Sequence, residues 1–188
     1  MNEVGKMDQA LVDELVGNCH GNLARVKQIL DEHPELLNVS ATWKETPIEA
    51  ATQMGNRAII DYLLDKGAPV DFFTALVLAQ LGRVRSDLAA DPGLASSRGV
   101  HDLPAMYFAA IGGSVAVADM LLAAGADVNA KAEAAAPLHG AVMGGNREMV
   151  SFLIESGADA SLPDYKGRDA RSLATEMGRA DLARLIPS

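Results

Sequence analysis

Apolar residues recur along this chain with helical rather than alternating spacing. After Gly55 they fall at Ile59, Ile60, Leu63 and Leu64. After Gly113 they fall at Val115, Val117, Met120, Leu121 and Leu122, and after Gly145 at Met149, Val150, Phe152, Leu153 and Ile154. Spacings of i, i+1, i+4 and i+5 mark one broad face of a helix. Three of these segments stop at Lys66-Gly67-Ala68, Ala124-Gly125-Ala126 and Ser156-Gly157-Ala158. Glycine just past a last helical turn takes the left-handed conformation that other residues resist. A shorter apolar segment precedes each turn glycine, so the pattern predicts helix, turn, helix, loop.

Anchored on Gly21, Gly55, Gly82, Gly113, Gly145 and Gly178, the unit recurs at intervals of 34, 27, 31, 32 and 33 residues. A helix pair of this size cannot bury its apolar face alone and must stack on its neighbours, which predicts an all-α solenoid. Three stretches, TPIEAATQMGN from Thr46, PAMYFAAIGGS from Pro104 and APLHGAVMGGN from Ala136, share alanine, glycine and cap chemistry. Their polar side chains differ, with Glu49, Tyr107 and His139 at one position. The repetition is therefore architectural, not catalytic.

The openings Thr46-Pro47-Ile48 and Ala136-Pro137-Leu138-His139 resemble the Thr-Pro-Leu-His start of the ankyrin repeat. Gly125-Ala126-Asp127-Val128-Asn129 and Gly157-Ala158-Asp159 are similar to its close, and Asp164-Tyr165-Lys166-Gly167-Arg168 to the tip of its hairpin finger. The resemblance implies a single ankyrin-repeat domain over residues 8–187, in units near 8–41, 42–70, 71–101, 102–132, 133–163 and 164–187, behind an N-terminal tail of residues 1–7. Several departures carry expectations. The third unit reads Asp91-Pro92-Gly93 after its second helix, so that helix is expected to stop there without a hairpin. Ala134 replaces a finger-tip glycine, which distorts that turn, and Pro104 weakens the cap of the fourth unit. Gly178 is expected to open a last helix with Leu182, Leu185 and Ile186 on one face and Arg179 and Arg184 on the other. The resemblance also implies that His139 bonds a cap hydroxyl, which Ala136 does not supply.

Charge narrows the function. Sixteen basic against 25 acidic residues give a net charge of −9, so phosphate-rich partners such as nucleic acid are disfavoured. Cys19 stands alone, which excludes a disulfide framework and fits a reducing compartment. The first residues lack the apolar core of a secretory signal, and no stretch approaches the ~18 apolar residues of a membrane span. A cytoplasmic protein without membrane partners is the expectation. No phosphate loop, H-E-x-x-H or paired C-x-x-C occurs, and Cys19-His20 without a second cluster does not make a metal site. No cofactor and no catalytic or metal residue is assigned.

Solenoids bind with their concave side. The resemblance implies contacts from the last turn of each inner helix and from the finger tips. In the register above these are Gln53, Met54, Gln80, Leu81, Ile111, Met143 and Met177, with Trp43, Glu45, Phe72, His101, Leu103, Tyr165, Lys166 and Arg168 on the fingers. Met54, Leu81, Ile111, Met143 and Met177 would form an apolar line. Two readings of it are open: an exposed groove for a protein partner, or packing between inner helices. The expected function is a non-catalytic adaptor, scaffold or inhibitor. The competing class is a small enzyme or ligand-binding protein using His101, His139 and nearby acids.

Overall fold

The computed structural model describes residues 8–187; the N-terminal tail expected over residues 1–7 lies outside them. The described residues form twelve α-helices in six pairs. These are α1 (Gln9–Asn18) with α2 (Leu23–Glu32), α3 (Pro47–Gln53) with α4 (Arg57–Asp65), and α5 (Phe72–Val77) with α6 (Leu81–Ala90). They continue as α7 (Ala105–Gly112) with α8 (Val115–Ala123), α9 (Pro137–Gly144) with α10 (Arg147–Glu155), and α11 (Ala170–Glu176) with α12 (Ala180–Ala183). The β structure among them is one isolated antiparallel bridge, Arg98 to Pro104. The chain divides into two compact units, one through Val70 with two helix pairs and one from Asp71 with four.

Local chemistry starts the helices. The Thr46 hydroxyl accepts the Glu49 N–H while the Glu49 carboxylate accepts the Thr46 N–H at 2.8 Å, a reciprocal cap with Pro47 at the first helical position. Asp8, Asn22, Asn56, Asp71, Ser114, Asn146 and Asp169 cap seven more helices through their side chains. Pro104 supplies no such bond to α7, as its sequence position suggests. At the other ends, Gly113 (φ 78°) and Gly145 (φ 73°) close α7 and α9 in the left-handed region.

In the second unit the inner helices α5, α7, α9 and α11 pack in succession, and the outer helices α6, α8, α10 and α12 do likewise. The inner row is held by backbone contact. A Cβ on Gly112 would lie 2.7 Å from the Val77 carbonyl oxygen, and one on Gly140 2.9 Å from that of Tyr107. On Gly144 it would strike the Ile111 carbonyl oxygen. Ala75, Ala105, Ala109, Ala110, Ala141 and Ala174 are fully buried along these helices, with Leu76, Phe108 and Leu138 filling between them. In the first unit α1 packs on α3 and α2 on α4, over Val12, Leu15, Val16, Ile29, Ile59, Ile60 and Leu63.

The structure revises several sequence expectations. Gly82 is not a turn residue: it lies inside α6, and Ala79 (φ 54°) makes the turn between α5 and α6. The inner helix of that unit is short, so Gln80 caps α6 and Leu81 begins it instead of ending an inner helix. The last helix is only Ala180–Ala183, with Leu182 and Ile186 buried. Arg179 is not on a solvent face: it donates to the Val142 carbonyl at 2.6 Å and lies over Gly145. At Ala134 the tip turn contracts. Other fingers close by a bond spanning four residues, Ala41 to Glu45, Gly99 to Leu103 and Asp164 to Arg168, with a left-handed residue inside. Here Ala132 N–H reaches only Ala135 O. Where Asp91-Pro92 follows α6, the helix stops at Ala90, as its proline requires, and a short 3-10 turn follows. The hairpin expected to be missing from this unit nevertheless forms beyond that turn, with Ala105 N–H donating to Ser97 O and Gly99 N–H to Leu103 O around the Arg98–Pro104 bridge.

Two measurements check this packing. Gly144→Ala pushes a methyl into the Ile111 backbone and should lose about 1–3 kcal/mol, several degrees in melting temperature at roughly 2–4 °C per kcal/mol. Gly82→Ala meets nothing within 4 Å and should gain about 0.5 kcal/mol in helix propensity; equal melting of the two variants would overturn the assignment. Deleting residues 178–187 removes Leu182, Ile186 and the Arg179 bond, and should lower the melting temperature. An unchanged melt would show that α12 adds nothing to the stack.

Candidate protein-interaction surface

Two fingers are fastened to the ends of inner helices by a side chain at the same register position, two residues before the first helical residue. In the first unit this residue is Glu45. It is buried, and its Oε1 accepts the Gln53 amide at 2.6 Å while Oε2 accepts the Trp43 indole N–H at 2.8 Å. In the last helix pair it is Arg168, which donates to Glu176 at 2.7 Å and to Asp164 at 2.7 and 2.9 Å. Gln53 and Glu176 both stand six residues after the first residue of their helix. The same finger-to-helix clamp is thus built twice with opposite polarity.

Electrostatics strengthens the second clamp. Burial works against ionising Asp164, but the Arg168 guanidinium and the backbone N–H groups of Arg168 and Lys166 outweigh it and hold its pKa below the ordinary carboxylate value. Arg168 also holds the Glu176 carboxyl low. From behind, His139 Nε2 bonds the Arg168 carbonyl at 2.9 Å while Nδ1 accepts the Ala136 N–H at 3.3 Å. His139 is 1% exposed. The hydroxyl missing at Ala136 is replaced by a backbone donor, so this histidine is a strut that fixes the finger and is not available to a ligand.

Each clamp leaves large apolar side chains in water. Trp43 is 44% and Met54 37% exposed beside the Glu45 clamp; Tyr165 is 68% and Met177 43% exposed beside the Arg168 clamp. Lys166 lies over the Tyr165 ring at 5.5 Å. The other sequence candidates are distributed differently. Gln80, Leu81 and His101 are exposed, but Gln80 and Leu81 sit at the start of outer helix α6. Phe72, Leu103 and Ile111 are buried and belong to the core, because Ile111 backs onto Gly144 and Phe72 meets Phe73 edge-on at 5.8 Å. Glu45 and Gln53 are buried as well, holding the surface instead of facing a partner. Met143 is half-buried, its sulfur accepting the Tyr107 hydroxyl at 3.6 Å. The five-membered apolar line therefore breaks into Met54 in one unit and Met177 in the other.

Sequence reasoning weighed His20 only as a metal ligand beside Cys19 and assigned it no role at the surface. It occupies the position before the turn glycine, equivalent to Met54 and Met177, and its Nε2 lies 2.8 Å from Gln53 Nε2 and 3.5 Å from Glu45 Oε2. The register itself was the signal. His101 borders a cavity of about 320 Å³ with Glu133, Ala134 and Tyr165. Among the described residues no group of three or more His, Cys, Asp or Glu side chains is placed to hold a metal ion. No described helix is long and apolar enough to cross a membrane.

Known proteins match this architecture. A family model for ankyrin repeats, three copies, matches residues 106–187. The bovine inactive serine/threonine-protein kinase TEX14 is 34% identical over 76 residues, 40% of this chain and 5% of that protein. The Caenorhabditis elegans ankyrin repeat and KH domain-containing protein mask-1 is 30% identical over 185 residues, 96% of this chain and 7% of its own length. The chain thus spans a small part of these long relatives. The rat cyclin-dependent kinase 4 inhibitor B is 30% identical over 128 residues, 66% of this chain and 95% of the inhibitor. With paired helices in this register and matches over nearly all of its length, the chain belongs to the ankyrin repeat family.

Proposed function

We propose that the protein is a non-catalytic binding module that holds a protein partner on the clamped finger-and-helix surfaces, Trp43 with Met54 and Tyr165 with Met177. Ankyrin repeats are protein-interaction modules and are generally non-catalytic. The rat relative is by name an inhibitor of a kinase, so binding that blocks or scaffolds a protein partner is the mode favoured here. The supporting observation is the duplicated clamp. In both units a finger is tied to the end of an inner helix, and in both an aromatic and a methionine are left exposed beside the tie. Such side chains in water add nothing to the stack and cost solubility. Covered by a partner, aromatic surface of this kind supplies much of an interface's energy, and methionine adapts to varied shapes. Fixing the fingers beforehand lowers the ordering entropy that binding would otherwise lose.

The test uses a partner recovered with the wild-type chain and then purified. Dissociation constants are measured for Trp43→Ser/Met54→Ser, for Tyr165→Ser/Met177→Ser and for Arg57→Ser on the exposed side of α4. Both double variants should melt within a few degrees of wild type, and at least one should bind about tenfold or more weakly, a loss of ~1.4 kcal/mol. Arg57→Ser should bind as wild type does. Unchanged binding by both double variants overturns the surface assignment.

A further inference from the structure

The first clamp contains a group that the second lacks. Where Arg168 meets only carboxylates, Glu45 shares Gln53 with the imidazole of His20. Gln53 Nε2 donates to Glu45 Oε1 at 2.6 Å and lies 2.8 Å from His20 Nε2. The Glu45 carboxylate accepts only, so it forces the amide nitrogen of Gln53 toward this corner. His20 Nδ1 faces the Gly17 carbonyl at 3.1 Å and must donate there. His20 Nε2 is consequently an acceptor from Gln53, the tautomer with its proton on Nδ1. The ring is about one-third exposed and open to solvent protons.

A proton arriving at Nε2 is incompatible with this arrangement. Nε2–H would face the N–H of Gln53 at 2.8 Å, donor against donor, whereas Glu45 Oε2 stands 3.5 Å away as an acceptor. That same oxygen holds the Trp43 indole, and Met54 is the next residue after Gln53. We propose that His20 is a proton-operated latch on the Trp43–Met54 surface: protonation breaks its bond from Gln53, moves the imidazole to Glu45 Oε2, and changes how Trp43 and Met54 are presented to a protein partner. The inference rests on the reading of that surface as a binding surface.

The groups around the imidazole permit the exchange. The finger contributes Glu45, and α3 contributes uncharged Gln53, while Glu49 of α3 is engaged with Thr46. On α1, Asp13 bonds Thr42 and Glu14 pairs with Arg25 of α2. The neighbouring Cys19 thiol is pushed up to about 12, by burial first and the Glu45 charge second, and stays neutral. Glu45 raises the His20 pKa above 6.5 against the opposing effect of burial, and the Gly17 carbonyl assists. Because the folded-state value is raised, the stabilisation from the protonated pair is complete below pH 6.5 and fades as pH rises through the folded value.

Trp43 is the sole tryptophan, so the full chain carries its own reporter. Its emission and the side-chain amide resonances of Gln53 are followed from pH 5.5 to 8.5 without any partner. Both should change with one shared midpoint above 6.5. His20→Gln, checked for folding by circular dichroism, should flatten both, and Glu45→Gln, checked in the same way, should lower the His20 midpoint read from its ring resonance. A Trp43 change without a Gln53 change would mean that the imidazole merely quenches, and would overturn the latch. So would a flat wild-type titration, or a transition that survives His20→Gln. Failure here leaves the partner measurements intact, and loss of partner binding in the serine variants is read separately.

Discussion

Direct contact between the backbones of neighbouring inner helices governs the second unit. Gly112 against Val77, Gly140 against Tyr107 and Gly144 against Ile111 leave no room for a Cβ. Close approach of this kind lets short helices bury nearly all of their inner face with small residues, which suits a chain with only 4% aromatics. It also sets where everything else can be. A helix that abuts its neighbour's carbonyls has no freedom to slide, so the residues at its last turn and on the adjoining finger come to defined places.

The Arg168 clamp relies on that fixity. Arg168 can bond Glu176 and Asp164 together because its own carbonyl is held by His139 of the preceding helix pair. The buried Glu45 likewise collects an indole and an amide, with the His20 imidazole beside them, from three segments of the first unit. Buried charge is tolerated only when its lone pairs are used, and a carboxylate used this fully constrains each donor. Structure and exposed surface are thereby coupled: the residues that hold the fingers are polar, with Glu45, Gln53 and Asp164 buried, while the large apolar side chains left outside beside them are aromatic or methionine.

Much of this was legible in the sequence because helix periodicity, N-caps and post-helical glycines are local properties. Thr46-Pro47, Asn56, Asn146 and Gly113 act on their own neighbours, so reading them in order recovers six helix pairs and, with the repeated motifs, the family. The exposure of Trp43, Met54, Tyr165 and Met177 followed from the same register. Where the register was taken from glycine alone it slipped, because Ala79 adopts the left-handed turn (φ 54°) and leaves Gly82 inside a helix.

What the sequence could not determine is which side chain reaches which across the repeats. Arg179 looks like a solvated helix charge but caps the Val142 carbonyl; Ile111 looks like a groove residue but backs onto Gly144. His139 lacks its hydroxyl partner yet is fully bonded, and His20 belongs to a carboxylate 25 residues further along the chain. The sequence by itself determined the elements, their order and their family, since these rest on spacing within a few residues. Only the tertiary structure decided the clamps and the His20 network, because hydrogen bonds between distant side chains depend on how closely the backbones approach.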